Sequence, residues 1–173
     1  TDQPIDLPQA MKAPLTNIDI VLQPGEFYFG ATAGCVQTLL GSCVAITLWH
    51  PSRQLGGMCH YMLPSRHKPS SQLDGKYAED AMQLFLREAA RHNTQLQEYQ
   101  VKLFGGGNMF PDYRCKPASG NIAEHNVAAA RRLVARHRLQ LTAEDLGCNG
   151  HRNVIFDIRS GDVWVRHQRL TGS

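Results

Sequence analysis

Two side chains in this sequence have the types and the spacing of a nucleophile and its base. Cys43 closes the small-residue turn Gly41-Ser42-Cys43, and His60 follows seventeen residues later in Met58-Cys59-His60-Tyr61-Met62-Leu63-Pro64. A free thiol is only a few per cent ionised at neutral pH, so a cysteine nucleophile needs an activator, and an imidazole within hydrogen-bond reach supplies one. Gly41 has no side chain to block a substrate, and backbone N–H groups around Gly41 and Ser42 can point at a developing oxyanion. The chemistry would be hydrolysis through a covalent thioester. The competing reading is that Cys43 is one more buried small residue, a common fate for cysteine; spacing alone leaves the two open. His60 lies in an apolar segment, where an unpaired ring is costly to bury, so it requires a partner: Cys43 or a backbone carbonyl. His50, His67, His92, His125, His137, His151 and His167 fall in loops, turns or helices and compete less well. A third group should orient the imidazole. Thr38, in Gln37-Thr38-Leu39-Leu40-Gly41, is near in sequence and carries a hydroxyl acceptor, although it also reads as an ordinary strand or turn threonine.

Other chemistries fit less well. Gly105-Gly106-Gly107-Asn108 has backbone N–H groups that can cradle an anion. It lacks the G-x-x-x-x-G-K-[ST] and G-x-G-x-x-G patterns and reads as a close-approach loop, with Gly106 and Asn108 placed to touch a substrate. Cys59-His60 and Cys148-x-x-His151 do not make the paired units that structural zinc favours, so no metal is expected.

The elements that must position Cys43 and His60 follow from periodicity. Cys43 to Trp49 reads as a buried strand, turned by His50-Pro51-Ser52-Arg53, and Leu55 to Leu63 as its returning partner. A hairpin of this kind sets cysteine and histidine on neighbouring strands. Pro64 to Lys76 is a polar surface loop able to rim the site. Ile18 to Leu22, Phe27 to Phe29, Val101 to Phe104, Leu139 to Thr142, Arg152 to Ile158 and Asp162 to His167 read as further strands, the last two joined by Ser160-Gly161. Tyr77, Ala81, Leu84 and Phe85 share one face of a helix running to about Arg91. Ala123, Val127, Ala130 and Val134 line a second, capped by Asn121 with Glu124 in capping-box position. Its basic end, Arg131 to Arg138, suits the helix dipole. The pattern implies a mixed sheet or sandwich with helices outside.

The chain of 173 residues, 42% hydrophobic and 19% charged, fits one domain over 18–170, with residues 1–17 as a loose arm. A net charge of +3 is too small and too local for a nucleic-acid binder. No apolar run reaches the ~20 residues of a membrane span, and the first residues do not resemble a signal peptide. Five cysteines, an odd number, suit reduced thiols in a cytoplasm better than a disulfide framework.

With these residues in hand, the chain resembles the chemoreceptor glutamine deamidase family, CheD. The matching segments are Thr38-Leu-Leu-Gly-Ser-Cys-Val-Ala-Ile46, Gly56-Gly-Met-Cys-His-Tyr-Met-Leu-Pro64, Tyr77-Ala-Glu-Asp-Ala81, Lys102-Leu-Phe-Gly-Gly-Gly-Asn-Met-Phe110, Asn121-Ile-Ala-Glu-His-Asn-Val127 and Gly150-His-Arg-Asn-Val-Ile-Phe156. It differs from the family pattern at Ala123, at His125 and around Cys148 to His151. The resemblance implies Cys43 as nucleophile, His60 as base and Thr38 as the third catalytic group. It implies a three-layer α/β fold related to the catalytic domains of cytotoxic necrotizing factor toxins. The implied activity is conversion of glutamine side chains to glutamate on methyl-accepting chemotaxis receptors, with no cofactor and with the phosphatase CheC as a partner. A non-catalytic adaptor that binds receptors through the same surface is the alternative.

Overall fold

The computed structural model of the protein describes residues 2–4, 18–31, 34–111 and 120–171. In chain order the strands are β1 (Asp2–Pro4), β2 (Ile18–Leu22), β3 (Phe27–Gly30), β4 (Cys35–Leu40), β5 (Val44–His50), β6 (Leu55–Tyr61), β7 (Gln100–Gly105), β8 (Gln140–Leu146), β9 (His151–Asp157) and β10 (Val163–Gln168). The helices are α1 (Ala78–Arg91) and α2 (Ile122–Arg136). They form three layers. One five-stranded sheet runs β1-β10-β9-β4-β2, and the second runs β3-β6-β5-β7-β8. Both are mixed: β2–β4 and β7–β8 are parallel pairs, and the other neighbours are antiparallel.

Side-chain alternation explains the layering. In β5, Val44, Ile46 and Leu48 join an apolar cluster with Ala81, Met82 and Phe85 of α1 and Ala130 and Leu133 of α2. Ala45 faces the other way, into a cluster with Met58, Phe104, Val36, Leu40, Val154 and Phe156 that lies between the sheets. A strand covered on both faces is apolar on both, which is why Cys43 to Trp49 reads as a near-continuous run, broken only by Thr47, rather than an alternation. The first sheet instead leaves Val21 and Leu39 of its outer face to solvent, at 53% and 62% exposure.

The antiparallel pairing of β5 with β6 and of β9 with β10 matches the two expected hairpins. Two features differ from expectation. Cys35–Leu40 is a full interior strand of the first sheet, next to its edge and flanked by β9 and β2; its mixture of Gln, Thr and Leu carries a weak strand signature. The buried stripe of α2 comprises Ala123, Asn126, Ala129, Ala130 and Leu133, whereas Val127 and Val134 are only half-buried. The helix is rotated so that a polar residue, Asn126, takes the inner position. Its N-terminal box is as expected, the Asn121 side chain accepting from Glu124 N–H at 2.9 Å. The basic end of α2 is held by ion pairs as well as the dipole, Arg131 with Glu144 and Arg136 with Glu79. Of the arm expected over 1–17, Asp2–Pro4 pair with β10, and residues 5–17 lie outside the described residues.

Candidate active site

Thr38 and His60 meet in the layer between the sheets. On β4, Val36, Thr38 and Leu40 point inward and Leu39 outward. On β6, Met58 and His60 point towards the first sheet, while Cys59 and Tyr61 point towards the helices. The Thr38 hydroxyl oxygen lies 2.6 Å from His60 Nδ1 and 2.9 Å from the Leu22 carbonyl. A hydroxyl has one proton, and a carbonyl can only accept. The Thr38 proton therefore goes to Leu22, and the same oxygen accepts from His60 Nδ1–H. This assigns the tautomer: Nε2 carries the lone pair and is free to take a proton. The backbone of His60 is anchored as well, its N–H donating to Glu26 at 3.2 Å and its carbonyl accepting from Gly25 at 2.8 Å.

Cys43 sits where the chain crosses from one sheet to the other. β4 ends at Leu40 and β5 begins at Val44, so Gly41, Ser42 and Cys43 form the crossing. All three carbonyls of this turn are held: Gly41 by Gly107 N–H at 2.9 Å, Cys43 by Gly106 N–H at 2.8 Å, and Ser42 by the side-chain amide of Asn126 at 3.1 Å. Cys43 is half-buried and packs against the inter-sheet cluster, on the side where His60 lies. The register pairs Val44 with Tyr61 and Ala45 with His60. Cys43 is therefore a diagonal neighbour of His60, a spacing within side-chain reach. Among the described residues no hydrogen bond joins the two; catalytic pairs are often this loose before substrate binds.

Burial tunes both groups in the direction of neutrality. It pushes His60 down to about 4, against a smaller opposing pull from the Glu26 carboxylate. It pushes the Cys43 thiol up from its ordinary value. At neutral pH the resting pair is thus thiol and imidazole, not thiolate and imidazolium. A thiol in this state would act as a nucleophile only if its proton left sulfur as the bond to carbon formed.

Gly41 and Ser42 form the half-exposed turn itself. Gly106 contacts that turn through its N–H to Cys43, so this donor supports the cysteine. Gly105 and Gly106 have φ of +113° and +66°, a region that favours glycine, and a Cβ on Gly105 would collide with the Cys43 carbonyl. Asn108 donates its N–H to Cys148 and accepts at Oδ1 from Phe110 N–H. With Gly106, Cys148, Val127 and Arg131 it lines a cleft of about 410 Å³ behind the turn. Neither Cys43 nor His60 lines that cleft. Cys59 and His60 point to opposite faces of their sheet and cannot share a ligand. Cys115 lies outside the described residues. Among the described residues no group of three or more His, Cys, Asp and Glu is placed to hold a metal ion.

Two residues of the site carried no weight in the sequence reading. Arg152 is fully buried and donates to the carbonyls of Gly105 (3.1 Å) and Gly147 (2.9 Å) and to Asp145, bracing the glycine loop from below. Its signal is alternation, since Arg152 shares a strand face with Val154 and Phe156, and an arginine there must have partners. Asn126 gives a similar signal, a polar residue inside the apolar stripe of α2.

A family model described as CheD chemotactic sensory transduction matches residues 62–167. The chain is 54% identical over 160 residues to the probable chemoreceptor glutamine deamidase CheD of Pseudomonas savastanoi pv. phaseolicola, covering 92% of this chain and 90% of that protein. It is 50% identical to the corresponding protein of Pseudomonas syringae pv. tomato, covering 92% and 95%. The probable chemoreceptor glutamine deamidase CheD 1 of Leptospira interrogans is 41% identical over 167 residues, with 91% and 98% covered. The crystal structure of Bacillus licheniformis hypothetical protein YfiH has a looser likeness, with a TM-score of 0.45 at 9% identity over 82% of this chain and 61% of that one.

Proposed function

This chain belongs to the CheD family, and from that premise we propose that it deamidates glutamine side chains of methyl-accepting chemotaxis receptors through a thioester on Cys43. The observation that carries the mechanism is the Thr38–His60 contact. With Nδ1–H used on Thr38, the lone pair of Nε2 is the basic group on the face that His60 shares with Cys43.

The steps follow from these positions. Cys43 Sγ attacks the carboxamide carbon while His60 Nε2 takes the thiol proton. The carbonyl oxygen becomes an oxyanion and is met by backbone N–H groups of the turn. The C–N bond breaks as His60 returns the proton to nitrogen, and ammonia leaves. Water then attacks the thioester, giving its proton to His60; the C–S bond breaks, glutamate is released, and the thiol is restored. Thr38 keeps the ring in one tautomer throughout. A half-exposed turn suits a glutamine presented on the surface of a receptor helix.

Cys43→Ala tests the reading. The variant is expected to bind receptor fragments as the wild type does and to release no ammonia from them. Undiminished ammonia release would sink the nucleophile, and unchanged receptor signalling without deamidation would favour an adaptor. Incorporation of an added amine in place of water would mark a transfer reaction. The reading extends to a cytoplasmic location and to a CheC-type phosphatase partner, whose addition to the assay is expected to slow deamidation by covering the turn.

A further inference from the structure

Of the three carbonyls in the cysteine turn, only the middle one depends on a side chain. Gly41 and Cys43 are held by backbone donors of the glycine loop, and Ser42 by Asn126 Nδ2 at 3.1 Å. The same nitrogen reaches the Met62 carbonyl at 2.8 Å, two residues beyond His60. A primary amide has two N–H groups. Asn126 uses both, one beside the cysteine and one beside the histidine strand. The residue is fully buried, its own carbonyl accepts from the Tyr61 hydroxyl, and its Oδ1 is buried with no hydrogen-bond partner. Buried polar groups are normally satisfied, and an apolar side chain at this helix position would leave no orphaned Oδ1 but would strip the Ser42 and Met62 carbonyls of this donor. Packing therefore does not account for Asn126, whereas its two donors do.

We propose that Asn126 is a positioning residue for the deamidation: it aims the Cys43 N–H at the oxyanion and ties the histidine strand to the same point. The inference rests on the Cys43 reading above. A peptide unit is planar and trans, so the Ser42 C=O and the Cys43 N–H point in opposite directions. Fixing the carbonyl towards α2 fixes the N–H away from it, on the side of the turn remote from the helix. Donors that already point where charge will develop need no reorganisation during reaction. Asn126 touches no substrate; it acts through the backbone on either side of the pair.

Asn126→Asp tests this, because it keeps the shape and presents acceptors to both carbonyls where the donors stood. With a receptor fragment as substrate, kcat is expected to fall roughly 10- to 100-fold while KM stays within about twofold, the signature of an interaction made in the transition state. Asn126→Ala is expected to move kcat the same way and carries the test if the aspartate variant does not fold; thermal unfolding of each variant establishes that. A folded variant with kcat within about twofold of wild type, or a loss expressed in KM alone, overturns the proposal. The two failures look different: deamidation that survives Cys43→Ala counts against the nucleophile, and deamidation that survives Asn126→Asp counts against the clamp.

Discussion

At the scale of single residues, the candidate site turns on one hydroxyl. Thr38 both accepts from His60 and donates to Leu22, so Thr38→Val removes two hydrogen bonds with almost no change of volume. The His60 Nδ1–H is then buried without a partner, at a cost of about 1–3 kcal/mol, and the ring loses its fixed tautomer. We expect kcat to drop by roughly 10- to 100-fold with the stability loss visible in denaturant titration. The resting thiol offers a second check. Because burial raises the Cys43 pKa, its alkylation by iodoacetamide should be slow at neutral pH and should go on rising above the ordinary thiol pKa of about 8.5. A rate already saturated near neutrality would mean a thiolate at rest and contradict the neutral pair. Cys43 and His60 were legible in the sequence because small-residue turns and polar residues in apolar runs are local signals. Thr38 is named from the sequence as the group to orient His60, and the two do meet; the residues alone leave it open as an ordinary strand threonine, since the contact joins different sheets and depends on the facing of both.

At the scale of elements, the glycine loop after β7 is what holds the cysteine turn. Its glycines are not equivalent to the one in the turn. Gly105→Ala would place a methyl on the Cys43 carbonyl at a φ that side chains avoid, so it should displace the turn and cost most of the activity as well as stability. Gly41→Ala would meet only the end of the Met109 side chain, 3.2 Å away and able to move, and should cost far less. Comparing kcat and melting temperature of the two variants checks this order; equal effects would refute it. Close approach by the glycine run was readable from Gly105-Gly106-Gly107, but its target was not, because Gly41 and Cys43 lie on a distant part of the chain. The strand β4 escaped for a related reason. Its outward Gln37 and Leu39 follow no strict polar alternation, and its place between β9 and β2 is fixed by long-range pairing, to which local patterning is blind.

At the scale of the whole molecule, the three layers bury His60 to 1% exposure, and this makes the fold itself sensitive to acid. Its folded pKa of about 4 lies below the ordinary value of 6.5. Between those values the unfolded chain binds a proton that the folded chain excludes. Stability from this group is therefore complete above about 6.5 and is lost as pH falls towards about 4, on the order of 3 kcal/mol in all. Urea unfolding near pH 7.5 and near pH 5 should show this loss in the wild type and a flatter dependence in His60→Gln; parallel slopes would contradict the buried neutral imidazole. The layering was partly legible: the helices and the central hairpin follow from periodicity, but the division of the strands between two sheets does not, because each sheet is assembled from strands distant in sequence. No helix among the described residues is long and apolar enough to cross a membrane. The central claim, a covalent thioester on Cys43, is tested most directly by the mass of the intact protein during turnover. Acid quenching in the presence of a receptor peptide should reveal a species of protein plus peptide less ammonia, with the peptide attached to the fragment containing Cys43 and no such species in Cys43→Ala. Glutamate forming at an undiminished rate in Cys43→Ala, with no adduct at any time in the wild type, would contradict it.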